Sequence, residues 1–163
     1  MSTCTARSTT PYFEFFELLA YGKRGKIEHI QEKIESYWGG ILRLGGTSVW
    51  EQFDPTKQGA EHYEMYGKRY GCSLCHAWGS GPIYLLGRFC LGVYPTDTGY
   101  QTFCVEPNPG KYRYFQGTVP LPQGEVSVTY RDGRITVVAG AEGGTLCFNG
   151  KEYPLQKDVP LTV

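Results

Sequence analysis

Glu51 follows Trp50 in the segment Gly45-Gly-Thr-Ser-Val-Trp-Glu-Gln-Phe-Asp-Pro55, and a second segment, Ser73-Leu-Cys-His-Ala-Trp-Gly-Ser-Gly-Pro82, brings His76 and Trp78. A carboxylate beside an aromatic wall can activate water for attack on an anomeric carbon, the role of the base in an inverting glycosidase. An imidazole can hydrogen-bond sugar hydroxyls, and rings with polar edges suit amphipathic ligands. The plainer reading makes Glu51 a solvated loop residue and His76 a helix cap. Asp54, Glu61 and Glu64 lie nearby in sequence and fit surface roles equally well.

Cys72-Ser-Leu-Cys-His76 matches the C-x-x-C-H pattern of covalent haem attachment. Such a site needs an axial partner, and only Met65 is at hand; the glycine-rich sequence that follows is unlike a small helical cytochrome. A structural zinc site needs four ligands, and one C-x-x-C with scattered Cys90 or Cys104 is a weak set. A thioredoxin-like redox role needs a βαβ context, which is missing. Two ordinary thiols near a helix start remain the simplest account. The six cysteines (with Cys4, Cys104 and Cys147) lack the density of a secreted disulfide scaffold, so most are expected to be reduced and buried.

The elements that would position these residues change character midway. Thr10 and Pro11 suit a helix start, followed by Tyr12, Phe13, Phe15, Phe16, Leu18, Leu19 and Tyr21 with Glu14 and Glu17 as the polar members. That stripe is broad, so cover is expected on more than one side. A second helix is expected from about Lys26 to Leu44, with Ile27, Ile30, Ile34, Tyr37, Trp38, Ile41 and Leu42 at three- and four-residue steps. Gly45 and Gly46 supply its stop. Residues 47 to 72 read as irregular, and a third helix as running from near Ser80 to about Val93. Beyond Pro95 come short β-branched and aromatic runs with Arg131-Asp-Gly133 and Asn149-Gly150 as hairpin signals. The expectation is helices over 1–95 and a small antiparallel β-sandwich over 96–163, an α+β chain.

Composition narrows the function classes. Sixteen basic and sixteen acidic residues cancel, leaving no electrostatic footprint for nucleic acid or an anionic membrane. No apolar run approaches the roughly 20 residues of a membrane span. The polar N-terminus, Met1 to Thr10, has no apolar core of a signal peptide, so a soluble cytoplasmic chain is expected. No cofactor and no metal ion is expected. The wide apolar helix faces, with little to cover them, suggest a missing partner surface.

In order and spacing, Thr10-Pro-Tyr-Phe-Glu-Phe-Phe-Glu17, Tyr37-Trp-Gly-Gly40, the Trp50-Glu51 and Ser73-Leu-Cys-His76 segments and Pro82-Ile-Tyr-Leu-Leu-Gly87 resemble the C-terminal end of α-L-rhamnosidases of glycoside hydrolase family 78. The resemblance covers about residues 8 to 160. It implies that the helices are the last hairpins of an (α/α)6 barrel followed by the family's C-terminal β-sandwich. It implies that Glu51 stands in the position of the general base, that His76 contacts rhamnose, and that Trp50 and Trp78 line or support the pocket. The family often has Asn where this chain has Cys75, which explains the C-x-x-C-H match without haem. The family's general acid and its acidic cluster have no counterpart in these 163 residues. A C-terminal portion of the hydrolase, inactive alone, is therefore expected, acting on a rhamnose-containing glycoside only once the barrel is completed. The alternative is a non-catalytic carbohydrate-binding or assembly module that pairs with itself or with a chain carrying the upstream hairpins.

Overall fold

The computed structural model describes residues 10–163; Cys4 and most of the polar N-terminus lie outside the described residues. The chain forms two compact units, Met1–Ile83 and Tyr84–Val163. It is a mixed α+β protein, with a helical portion followed by a β-sandwich.

In the first unit, α1 spans Pro11–Gly22 with Pro11 at the first helical position. Its buried residues are Pro11, Glu14 and Leu18, a narrow stripe at three- and four-residue steps. Glu14, expected on the polar face, is inside because Lys33 Nζ meets its carboxylate at 2.9 Å, and a buried charge needs such a partner. Tyr12, Phe13 and Phe16 are exposed instead, Phe13 by 63%.

The second helix runs as α2 (Ile27–Lys33), a π turn (Ile34–Trp38) and α3 (Gly39–Arg43). A π turn adds a residue to the winding, and both Tyr37 and Trp38 are buried on it, as are Ile27, Ile30 and Ile41 along the helix. Leu42, expected on that face, is exposed, and Gln31 is buried. The stop is a Schellman closure: Gly45 adopts φ +81°, its N–H bonds Leu42 O at 3.0 Å, and Gly46 N–H bonds Ile41 O at 3.0 Å.

Helix α4 spans Gly81–Leu85 and continues as a π turn over Leu86–Cys90. It ends short of the expected Val93. Gly92 turns the chain at φ +74°, where any Cβ would strike the backbone of Glu106. Val93 then opens a strand. No helix among the described residues is long and apolar enough to cross a membrane.

The second unit holds strands β1 (Val93–Pro95), β2 (Phe103–Val105), β3 (Tyr114–Leu121), β4 (Gly124–Arg131), β5 (Arg134–Ala139), β6 (Gly144–Phe148), β7 (Lys151–Pro154) and β8 (Leu161–Thr162). They form two four-stranded sheets, ordered β1-β2-β6-β7 and β3-β4-β5-β8. Phe103, Val105 and Leu146 from one sheet meet Val126, Val128, Ile135, Val137 and Ala139 from the other in a single core. Period-two alternation puts these on the inner faces, and each large side chain so buried contributes about 1.5–3 kcal/mol. Both hairpin signals hold: Asp132 and Gly133 (φ +46° and +92°) join β4 to β5, and Asn149 and Gly150 (φ +51° and +72°) join β6 to β7. The pairing is antiparallel except between β2 and β6, which run parallel. There Cys104 Sγ lies 3.0 Å from Cys147 Sγ.

Candidate functional site

The Schellman closure delivers the chain from α3 directly into Val49-Trp50-Glu51. This segment pairs with Ser73–His76: Glu51 N–H donates to Ser73 O and His76 N–H to Val49 O, each at 2.8 Å. Gly79 permits the close approach, since a Cβ there would lie 2.8 Å from Val49 Cβ and 2.9 Å from Trp50 O. The Trp38 indole N–H donates to Gly79 O at 2.7 Å, fastening the second segment to the buried helix face.

Glu51 is 5% exposed. Its two carboxylate oxygens have separate donors: the Tyr66 phenol bonds Oε1 at 2.6 Å, and Ser73 N–H bonds Oε2 at 3.0 Å. His76 Nδ1 stands 3.9 Å from Oε2, beyond hydrogen-bond reach. The Tyr66 phenol first, then the Ser73 amide, hold the carboxyl below the ordinary glutamate range, against burial, which raises it. The carboxylate is thus ionised and fixed in its plane. Among the described residues, the groups that shift it are Tyr66, Ser73 and His76, and none is a carboxyl.

The other residues singled out from sequence fall around this centre in different ways. Trp78 donates its indole N–H to Glu51 O at 3.0 Å and keeps 36% of its surface exposed. The His76 ring lies 4.1 Å from the Trp78 ring, tilted by 36°, and the Tyr12 ring of α1 lies 5.7 Å from it. Trp50 is buried, its ring 5.9 Å from that of Tyr63, and so supports the loop from within. Asp54 and Glu61 serve local turns: Asp54 accepts from Thr56 N–H (2.9 Å) and Oγ1 (2.6 Å), and Glu61 from Gln58 N–H (3.0 Å).

Cys72 is buried with its sulfur against the carbonyls of Gln52 and Ser73, whereas Cys75 is exposed. Among the described residues no three His, Cys, Asp or Glu side chains gather where a metal ion could be held.

Sequence reasoning missed Tyr66 and the Ser73 amide, the two groups that bond the carboxylate. The available signal was Tyr66-Gly67, a two-residue turn between Met65 and Lys68 that carries Tyr66 to the carboxylate from 15 residues away. An open depression of about 480 Å³ flanks this turn, lined by Gln52, Lys57, Glu64, Tyr66 and Arg69 among others.

A helical unit presenting a buried, donor-held carboxylate on helix-joining loops, followed by a β-sandwich, defines the class of fold. Its likeness is specific. The crystal structure of a GH78 family rhamnosidase from Bacillus sp. GL1 matches 82% of this chain with a TM-score of 0.61 and 29% sequence identity. The chain accordingly has a GH78-like fold, while it spans only 13% of that rhamnosidase's length. A putative kojibiose phosphorylase from the human microbiome matches 53% of this chain and 11% of its own, at TM-score 0.39 and 11% identity, too distant to argue from. No family model matches the chain, and no curated protein does.

Proposed function

We propose that this chain is the C-terminal part of an α-L-rhamnosidase-like inverting glycoside hydrolase, with Glu51 as the general base. The observation that carries this reading is the Glu51 carboxylate: buried, ionised, and held by one donor on each oxygen beside His76 and Trp78. A base that must orient a water needs this fixed plane with lone pairs to spare. His76 and the exposed face of Trp78 supply a polar group and a ring for the sugar, with Trp50 holding the loop beneath them. The helical unit is read as the closing hairpins of an (α/α)6 barrel and the second unit as the sandwich that follows it.

Inverting hydrolysis also needs a carboxylic acid on the other side of the bond, which on this reading belongs to the upstream barrel hairpins. Without it, roughly 10²- to 10⁴-fold of rate is lost. The chain alone is therefore expected to bind L-rhamnose without hydrolysing an aryl α-L-rhamnoside. In NMR spectra, added L-rhamnose is expected to shift the Trp78 indole and His76 signals, and His76→Ala to weaken that response. Nitrophenol release by the chain that vanishes in Glu51→Gln would show a complete site and overturn the incomplete-site reading. Absence of any rhamnose response would overturn the sugar assignment.

A second reading, an assembly module, rests on α1. Tyr12, Phe13 and Phe16 are 43–63% exposed on one helix, an apolar surface that marks interaction sites. The occupant is taken to be the remaining barrel hairpins or a second copy of the chain. A monomer by light scattering, with no binding of an apolar dye, would count against it.

A further inference from the structure

We infer that Tyr66 is a positioning residue for the Glu51 carboxylate, fixing which of its lone pairs remain available to a ligand or water. The inference rests on the reading of Glu51 as the base. An ionised carboxylate offers about four acceptor sites. Tyr66 takes one on Oε1 and the Ser73 amide one on Oε2, so one site is left on each oxygen. Ser73 alone would leave the group free to rock about Oε2, and the phenol removes that freedom.

The hairpin that carries Tyr66 is built to hold it there. Met65 and Lys68 exchange both backbone hydrogen bonds (3.1 and 2.9 Å), and Cys72 N–H closes the base of the loop on Tyr63 O at 3.0 Å. Gly71 lies so close to Met65 O that a side chain would collide with it. At the tip Tyr66 adopts φ +54° ahead of Gly67 at +69°, a conformation that Asn, Asp or Gly enter at less cost. Its ring is 70% exposed, so apolar burial does not account for a tyrosine at this position. Among the described residues, its hydrogen bond to the interior is the phenol bond to Glu51. A short O–H···O⁻ bond of this kind is among the stronger hydrogen bonds a side chain makes.

The test is Tyr66→Phe in the full chain, which keeps the ring and the turn and removes only the hydroxyl. The Glu51 carboxyl is followed by ¹³C NMR through an acid titration, with Glu51→Gln to assign its signal, and L-rhamnose is added to both proteins. The expected result is an upward shift of the Glu51 midpoint in Tyr66→Phe, with amide signals away from the site unchanged and a thermal melt lowered only as far as the lost bond to a charged group requires. Reciprocally, the Tyr66 phenol, raised by the same bond, is expected to titrate lower in Glu51→Gln. An unchanged Glu51 titration overturns the positioning role whatever rhamnose does. A shifted titration with no rhamnose response in either protein leaves the positioning role standing and removes the sugar reading of the site.

Discussion

Replacing Gly79 by Ala tests whether the site depends on close approach of its two segments. The new Cβ would sit 2.8 Å from Val49 Cβ, 2.9 Å from Trp50 O and 3.3 Å from the Val49 carbonyl carbon. Carbon atoms rest at about 3.5–4.0 Å, so the segments must part by roughly 0.7 Å. Two of the three atoms are backbone, and no rotamer change relieves them. Overpacking of this kind costs about 1–3 kcal/mol. The movement also stretches the bonds His76 N–H to Val49 O and Trp38 Nε1–H to Gly79 O, each worth about 0.5–1.5 kcal/mol. A net loss of about 2 kcal/mol is expected.

The three tryptophans, Trp38, Trp50 and Trp78, all belong to the first unit, so their fluorescence reports that unit's unfolding. With a urea slope of about 1–3 kcal/mol per molar, the midpoint is expected to fall by about 1 M. Amide signals of Glu51, Ser73 and His76 are expected to move in the same variant before any denaturant is added. A midpoint within about 0.2 M of the parent, with those amides unmoved, would refute the reasoning, because the strain would then have been absorbed without disturbing the site.

Two further outcomes follow from the ionisable groups. The folded state holds the Glu51 carboxyl below its ordinary range, so its contribution to stability is present above the ordinary glutamate pKa and is lost as pH falls through the folded value. Between about pH 6 and about pH 3 the fluorescence-detected midpoint of the parent should therefore drop more than that of Glu51→Gln, and equal slopes would show that Glu51 is not the linked group. Among the thiols, Cys75 is exposed while Cys90 and Cys104 are buried, and burial together with the Cys104 contact pushes Cys147 up to about 12. Iodoacetamide at neutral pH should alkylate Cys75 well before these three, and mass spectrometry showing Cys104 or Cys147 labelled as fast would contradict the packing of β2 against β6.

What could be read from the sequence was what local chemistry decides. Ile27, Ile30, Tyr37, Trp38 and Ile41 mark a buried face by spacing alone, and Gly45-Gly46 closes the helix because only such residues enter its turn without strain. Asp132-Gly133 and Asn149-Gly150 announced their hairpins for the same reason. What could not be read depends on partners distant in sequence. Glu14 looks like a surface residue until Lys33 is placed against it. The parallel pairing of β2 with β6 joins segments about 40 residues apart, with no turn to announce it. Leu42 was assigned to the buried face by strict period, but the π turn at Ile34–Trp38 changes the phase of the helix after it. For the site, residue types singled out Glu51, His76 and Trp78 as candidates, whereas the groups that bond the Glu51 carboxylate are Tyr66 and a backbone amide. Tyr66 has only the Tyr66-Gly67 turn to signal it, and a backbone amide carries no side-chain signature.

The two halves of the proposed chemistry differ in how much of the protein each requires. Every group that fixes Glu51 lies between Trp38 and Trp78: the indole that fastens Gly79, the amide of Ser73, the phenol of Tyr66 and the backbone pairing of the two segments. The Glu51 carboxylate therefore takes both of its hydrogen-bond donors from within the first unit. The ring of Trp78 is different, because it continues through Tyr12 to the exposed Phe13 and Phe16 of α1. On the proposed reading, whatever covers that aromatic face also walls the sugar beside Trp78. Supplying the missing carboxylic acid then need not rebuild the base: the Glu51 to Tyr66 and Glu51 to Ser73 bonds should persist unchanged when α1 is covered, while the surroundings of Trp78 change.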